Sequence, residues 1–150
     1  MARVIGIGQR NAGDDGAGLA VVRALREMGP APGVELFEVA EAVALVPLLE
    51  TDQPVVLVDA AVTGPRPGSV LDLTPEQLAT TGVTPASSHG LGVGEAIELA
   101  RILFPETLSP RISVVGIAIA RPDGYRQGLS AEVLAAIPAA IEAVLARVRS

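Results

Sequence analysis

Three carboxylates and one imidazole carry the chemistry of this sequence. Asp14 and Asp15 stand side by side between Gly13 and Gly16, Asp59 closes the apolar run Val55-Val56-Leu57-Val58, and His89 is the only histidine. One oxygen donor each from Asp15 and Asp59 and a nitrogen from His89 form a mixed set. Such a set suits a borderline divalent metal such as nickel or zinc, with positions left open for a substrate. The same three groups suit hydrolysis by general acid and base. A serine triad fits less well, since no Gly-x-Ser-x-Gly elbow occurs and the adjacency of Ser87 and Ser88 to His89 is not the geometry of a nucleophile and its base. The absence of cysteine excludes thiol nucleophiles, disulfides and thiolate zinc sites together.

The elements that must position these groups begin at the N-terminus. Val4, Ile5 and Ile7 form a short charge-free run, the pattern of a strand buried on both faces. Gly6 and Gly8 admit close approach of other backbone at its exit, and Gly13 and Gly16 admit positive φ. Ala17, Ala20, Val21, Ala24, Leu25 and Met28 then recur at helical spacing. One of the two adjacent aspartates is therefore expected to cap this helix, leaving the other free for the cleft. Phosphate-loop readings fail here. Asn11 occupies the position where a dinucleotide fingerprint needs its third glycine, a P-loop needs a lysine that the chain lacks, and the acidic pair would repel a pyrophosphate.

Beyond the break at Gly29-Pro30-Ala31-Pro32-Gly33, residues 34–38 alternate like a strand at or near a sheet edge. Residues 39–50 return to helical spacing, with Pro47 predicting a kink or two short pieces. Residues 54–59 read as the clearest buried strand, and its terminal Asp59 is what a parallel strand delivers to the carboxyl edge of its sheet. A strand at 69–73 follows, then a capping box in Thr74-Pro75-Glu76-Gln77. The loop over 81–90 carries His89, and a helix from Leu91 to about Phe104 has Ser87 or Ser88 as candidate caps. A strand at 112–119 ends in the turn Arg121-Pro122-Asp123-Gly124-Tyr125. The last helix is capped by Ser130, with Leu129 and Leu134 as a hydrophobic staple, and Pro138 predicts a kink within it.

This order predicts one domain over residues 1–150, of α/β class. It is a three-layer αβα sandwich around a twisted, mostly parallel sheet of about five strands. Right-handed crossovers bring the ends of the first and third strands to one edge, so Asp15 and Asp59 are expected to share a crevice with His89. Hydrophobic residues make up 49% of the chain and aromatics only 2%, so the core must pack aliphatic side chains. No apolar run has the roughly 20 residues needed to span a bilayer, and no secretory pattern opens the chain. A cytoplasmic location without membrane association is expected. A net charge of −6 with no basic cluster argues against nucleic acid as a partner.

At these residues the sequence resembles the hydrogenase maturation proteases. The resemblance rests on Gly6-x-Gly8, Gly13-Asp14-Asp15-Gly16-x-Gly18, Val58-Asp59-Ala60, and Ser88-His89-x-Leu91-Gly92 before a helix. Gly128-Leu129-Ser130 before a helix with an internal proline adds to it. It implies an endopeptidase that removes the C-terminal extension of a [NiFe] hydrogenase large-subunit precursor after nickel insertion, acting as a monomer. It also implies that Asp15, Asp59 and His89 are the catalytic and metal-contacting groups, with the nickel supplied by the substrate and no organic cofactor. Metal-assisted attack by water and carboxylate-assisted attack both stay open. The alternative is a non-catalytic metal-binding or maturation chaperone module on the same fold. Glu38-Val39-Ala40-Glu41 stands where many members carry Asp-Gly-Gly-Thr, a departure shared with the branch that serves cytosolic, multi-subunit hydrogenases.

Overall fold

Val4 and Ile5 lie on opposite faces of the first strand, and both are fully buried, which places that strand inside a two-faced sheet. The computed structural model describes residues 1–9, 13–29, 32–62, 66–80, 84–85, 92–120 and 128–149. Its strands are β1 (Ala2–Ile7), β2 (Val34–Val39), β3 (Val55–Val62), β4 (Val70–Leu73), β5 (Thr84–Pro85) and β6 (Ile112–Ile119). The helices are α1 (Ala17–Met28), α2 (Leu45–Leu48), α3 (Pro75–Thr80), α4 (Val93–Leu103) and α5 (Ala131–Arg149). The strands run in the order β2-β1-β3-β6-β4, with the two-residue β5 paired to β3. The β2-β1, β1-β3 and β3-β6 pairings are parallel, whereas β4 on β6 and β5 on β3 are antiparallel.

Strand alternation divides the core into two halves. Val4, Val56, Val58, Val115 and Ile117 face α1 and α5, where Val21, Leu25, Val133 and Ile137 meet them. Ile5, Leu57, Ile112 and Val114 face the other way, onto Leu45 and Leu49 and onto Ile97 of α4. Each such aliphatic side chain, fully buried, contributes about 1.5–3 kcal/mol relative to exposure. The chain crosses from one face to the other between β1 and β3. The helix after β1 covers the first face, and the short helical segment after β2 covers the second. Crevices at such a switch point, outside the carboxyl ends of the strands, are where open α/β sheets bind ligands.

Several local expectations hold in detail. β2 is an edge strand, and the segment around Pro47 is two pieces, a 3₁₀ turn at Ala42–Ala44 followed by the one-turn α2. The box before α3 is formed, with Thr74 N–H donating to Gln77 Oε1 at 2.8 Å and Gln77 N–H to Thr74 Oγ1 at 3.2 Å. Ser130 Oγ accepts from Val133 N–H at 3.4 Å, as expected of the residue that caps α5. Other expectations need correction. Gly16 is the N-cap of α1, has a negative φ of −84°, and no side chain caps that helix. Asp14 and Asp15 instead belong to a 3₁₀ turn, Gly13–Gly16, in which Gly13 alone takes positive φ. The helix expected from Leu91 starts at Val93 with Gly92 as its N-cap, whose N–H donates to Glu95 Oε1 at 3.4 Å. Ser87, Ser88 and the turn at 121–125 lie outside the described residues.

Candidate functional site

The site is built where α1 meets the sheet. Gly18, in the first turn of α1, lies so close to the ends of β1 and β3 that an added Cβ would strike the carbonyl oxygens of Ile7 and Val58. Gly8 is likewise closed in by the Asp15 carbonyl, and Gly6 by that of Gly18. Three glycines therefore let the turn holding the aspartates press down on the strand ends. Gly8 N–H donates to the Val39 carbonyl at 3.0 Å and Gln9 Nε2 to that of Ala40 at 3.2 Å, tying this loop to the end of β2 as well.

The two aspartates of the turn have different partners. The Oδ1 of Asp14 accepts a 2.6 Å hydrogen bond from Ser130 N–H at the start of α5. Asp15 is only 8% exposed, and its carboxylate accepts from the Gln9 backbone N–H. Burial raises the Asp15 pKa, and the Gln9 bond partly opposes that rise.

Asp59 stands on β3 with its side chain on the α4 side, since its strand neighbours at 57 and 58 alternate between the two cores. Ala60 N–H donates to its Oδ1 at 2.8 Å. Its pKa lies well above the usual carboxylate value, first because burial disfavours the charge and second because the negative charge of Asp15 is near. Asp59 is raised further than Asp15, although each carboxyl accepts a backbone N–H, from Ala60 and from Gln9 respectively.

The sheet thus brings together Asp15 and Asp59. His89, the third expected member, lies outside the described residues. Among the described residues no group of three or more His, Cys, Asp or Glu side chains gathers as a metal site. A cavity of about 190 Å³ opens beside Asp59 between β4, β6, α3 and α4. The sequence pattern did not reveal it. The available signals were Gly116 within a mostly aliphatic strand and Gly94 within a helix.

The fold and this pair of carboxyl groups describe an α/β protein with two acids at the switch point of its sheet, and comparison with known proteins gives it a class. The family model described as hydrogenase maturation protease, HycI, matches residues 19–147. Asp59 and His89 fall inside the matched span and Asp15 just before it. The chain belongs to the hydrogenase maturation protease family, a family of maturation endopeptidases. No curated protein matches it in sequence. Among solved structures it is similar to the hydrogenase maturating endopeptidase HybD from E. coli, with a TM-score of 0.80 and 24% identity over 99% of this chain and 91% of that one. It is also similar to a hydrogenase 2 maturation peptidase from Thaumarchaeota archaeon SCGC_AB-539-E09, with a TM-score of 0.69 and 26% identity over 97% and 95%. The [NiFe] hydrogenase maturation protease HybD from Thermococcus kodakarensis matches with a TM-score of 0.71 and 24% identity over 97% of both chains.

Proposed function

We propose that this protein is the cytoplasmic endopeptidase that removes the C-terminal extension from the large-subunit precursor of a [NiFe] hydrogenase once nickel has been inserted. The observation that carries the proposal is the approach of Asp15 and Asp59 from the ends of β1 and β3, near enough for one charge to raise the other's pKa. In this reading Asp15, ionised and oriented by Gln9 N–H, takes the proton of the attacking water. Asp15 then passes that proton to the departing amine and is ionised again at the end of the cycle, while Asp59, ionised by the approach of the precursor's nickel, serves as a donor to it. The nickel is the cargo of the precursor. Its approach favours ionised carboxylates, and Asp15, Asp59 and His89 are the donors proposed to recognise it, consistent with a mixed oxygen and nitrogen set.

The test is incubation of the purified protein with nickel-loaded and nickel-free precursor, followed by mass spectrometry of the products. Loss of a C-terminal peptide from the loaded precursor alone is the expected result, abolished by Asp15→Ala, Asp59→Ala or His89→Ala. Cleavage that ignores nickel, or persists in all three variants, would overturn the assignment.

A further inference from the structure

Two contrasting sets stand out among the described glycines, and the second points to a function. Gly6, Gly8 and Gly18 are required because backbone atoms occupy the place of a side chain. Gly116 and Gly94 are under no such demand. A Cβ at Gly116 would meet Leu71 Cβ at 3.6 Å and Cδ1 at 3.7 Å, and one at Gly94 would meet Leu78 Cδ2 at 3.7 Å, all ordinary van der Waals contacts. Neither has a left-handed φ. Yet Gly116 sits in the middle of the fully buried strand β6 and Gly94 in the first turn of α4, where glycine weakens the element relative to alanine.

What the two missing side chains leave is space. Both glycines line the 190 Å³ cavity, whose other walls include Leu71, Leu73, Leu78 and Val93. Gly116 is the register partner of Asp59 across the β3–β6 pair, and Leu71 is the partner of Gly116 across β6–β4. The row Asp59, Gly116, Leu71 therefore runs acid, gap, apolar wall on one face of the sheet. An apolar cavity of about 150 Å³ already accepts a benzene-sized guest. Among the described lining residues the ionisable side chains are Asp59 and Glu95, both acidic, and neither offers a positive partner to an acidic guest.

We propose that this cavity is the subsite for an aliphatic side chain of the peptide flanking the bond to be cleaved, and that Gly94 and Gly116 keep it open. The inference rests on the endopeptidase function proposed above and adds the side chain that the enzyme selects. A side chain seated between Leu71, Leu78 and Val93 lays its own backbone beside Asp59, which is where the bond to be cut must lie.

The experiment compares wild type, Gly116→Ala, Gly116→Val and Gly94→Ala on nickel-loaded precursor. The flanking residues of the precursor are kept native or changed singly to Ala, Asp or Lys. One methylene in an apolar pocket is worth roughly 10–200-fold in discrimination. Gly116→Val is therefore expected to lower kcat/KM on the native precursor at least tenfold through KM, and to regain activity when one particular flanking residue is shortened to Ala. Asp at that same position should block the wild type, and Lys should do so less completely. Gly94→Ala, which favours its helix, is expected to melt no lower than wild type while showing the same shift, and this separates occlusion from misfolding. If wild type cleaves but Gly116→Val and Gly94→Ala match it on every precursor, the subsite is wrong and the protease function stands. If wild type leaves the loaded precursor intact, the function itself fails and the subsite with it.

Discussion

Asp14 and Ser130, 116 residues apart in the chain, are joined by a 2.6 Å hydrogen bond from the Ser130 backbone N–H to the Asp14 carboxylate. The bond fastens the start of the last helix to the turn that presents Asp15. A hydrogen bond to a charged group contributes about 1.5–3 kcal/mol. Asp14→Ala is expected to lower stability by about that amount in urea unfolding, while precursor cleavage well below the melting temperature persists. Loss of cleavage in a variant of undiminished stability would show that Asp14 belongs to the reacting groups.

Asp59 makes the fold sensitive to pH in the direction opposite to most paired acids. Its pKa is raised in the folded protein, so between the unfolded value of about 3.9 and the raised value the folded state binds more protons than the unfolded one. Stability from this group is complete below about pH 4 and declines as pH rises through that window. Asp59→Asn, which keeps an oxygen for Ala60 N–H, should therefore melt above wild type at pH 7 and level with it near pH 3. An equal difference at both pH values would mean that the effect is packing rather than ionisation.

Glu38 provides the counterpart. It pairs with Arg26 at 2.6 Å and Arg23 at 3.2 Å, and the Arg26 hydrogen bond foremost holds its pKa below the usual value. Its contribution is present above the unfolded pKa and fades as pH falls through the folded one. With the two arginine side chains roughly half exposed, Glu38→Gln is expected to cost no more than about 1 kcal/mol at pH 7, less in high salt, and less at pH 3 than at pH 7. Melting curves at two salt concentrations and two pH values check all three statements.

Gly18→Ala tests whether helix position sets the carboxylate pair. The new methyl would press on the Ile7 and Val58 carbonyls, lifting α1 from the strand ends. A cost of about 1–3 kcal/mol is expected for such overpacking. As Asp15 retreats, the Asp59 pKa should fall, an outcome readable by carboxyl NMR titration. An unchanged Asp59 titration in this variant would mean that the two acids are coupled by something other than the seat of α1.

How much of this was legible in the sequence depends on the range of the interaction responsible. The charge-free run at 55–58, the alternation at 34–38, the Thr74–Gln77 box and the break at Pro47 are local patterns, and the fold reproduces them. The approach of Asp15 to Asp59 followed from topology, because parallel strands with right-handed crossovers leave few other arrangements. The Asp14–Ser130 bond was not legible, since nothing near Asp14 signals a partner in the last helix. Helix capping, the commonest local role of Asp, was expected in its place. β5 is two residues long and contains a proline, so Thr84-Pro85 reads as loop. The cavity escaped notice because it is made by absent side chains at Gly94 and Gly116, whose common neighbourhood exists only after the strands pair.

The core of this protein is assembled from alanine, valine, leucine and isoleucine, with no aromatic residue among its fully buried members in the described residues. With no tryptophan and one tyrosine, Tyr125, in the whole chain, the folded molecule is almost dark in ultraviolet fluorescence. A single tryptophan introduced at Leu73, or one carried by a precursor peptide, would emit against an empty background and report directly on what enters the space beside Asp59.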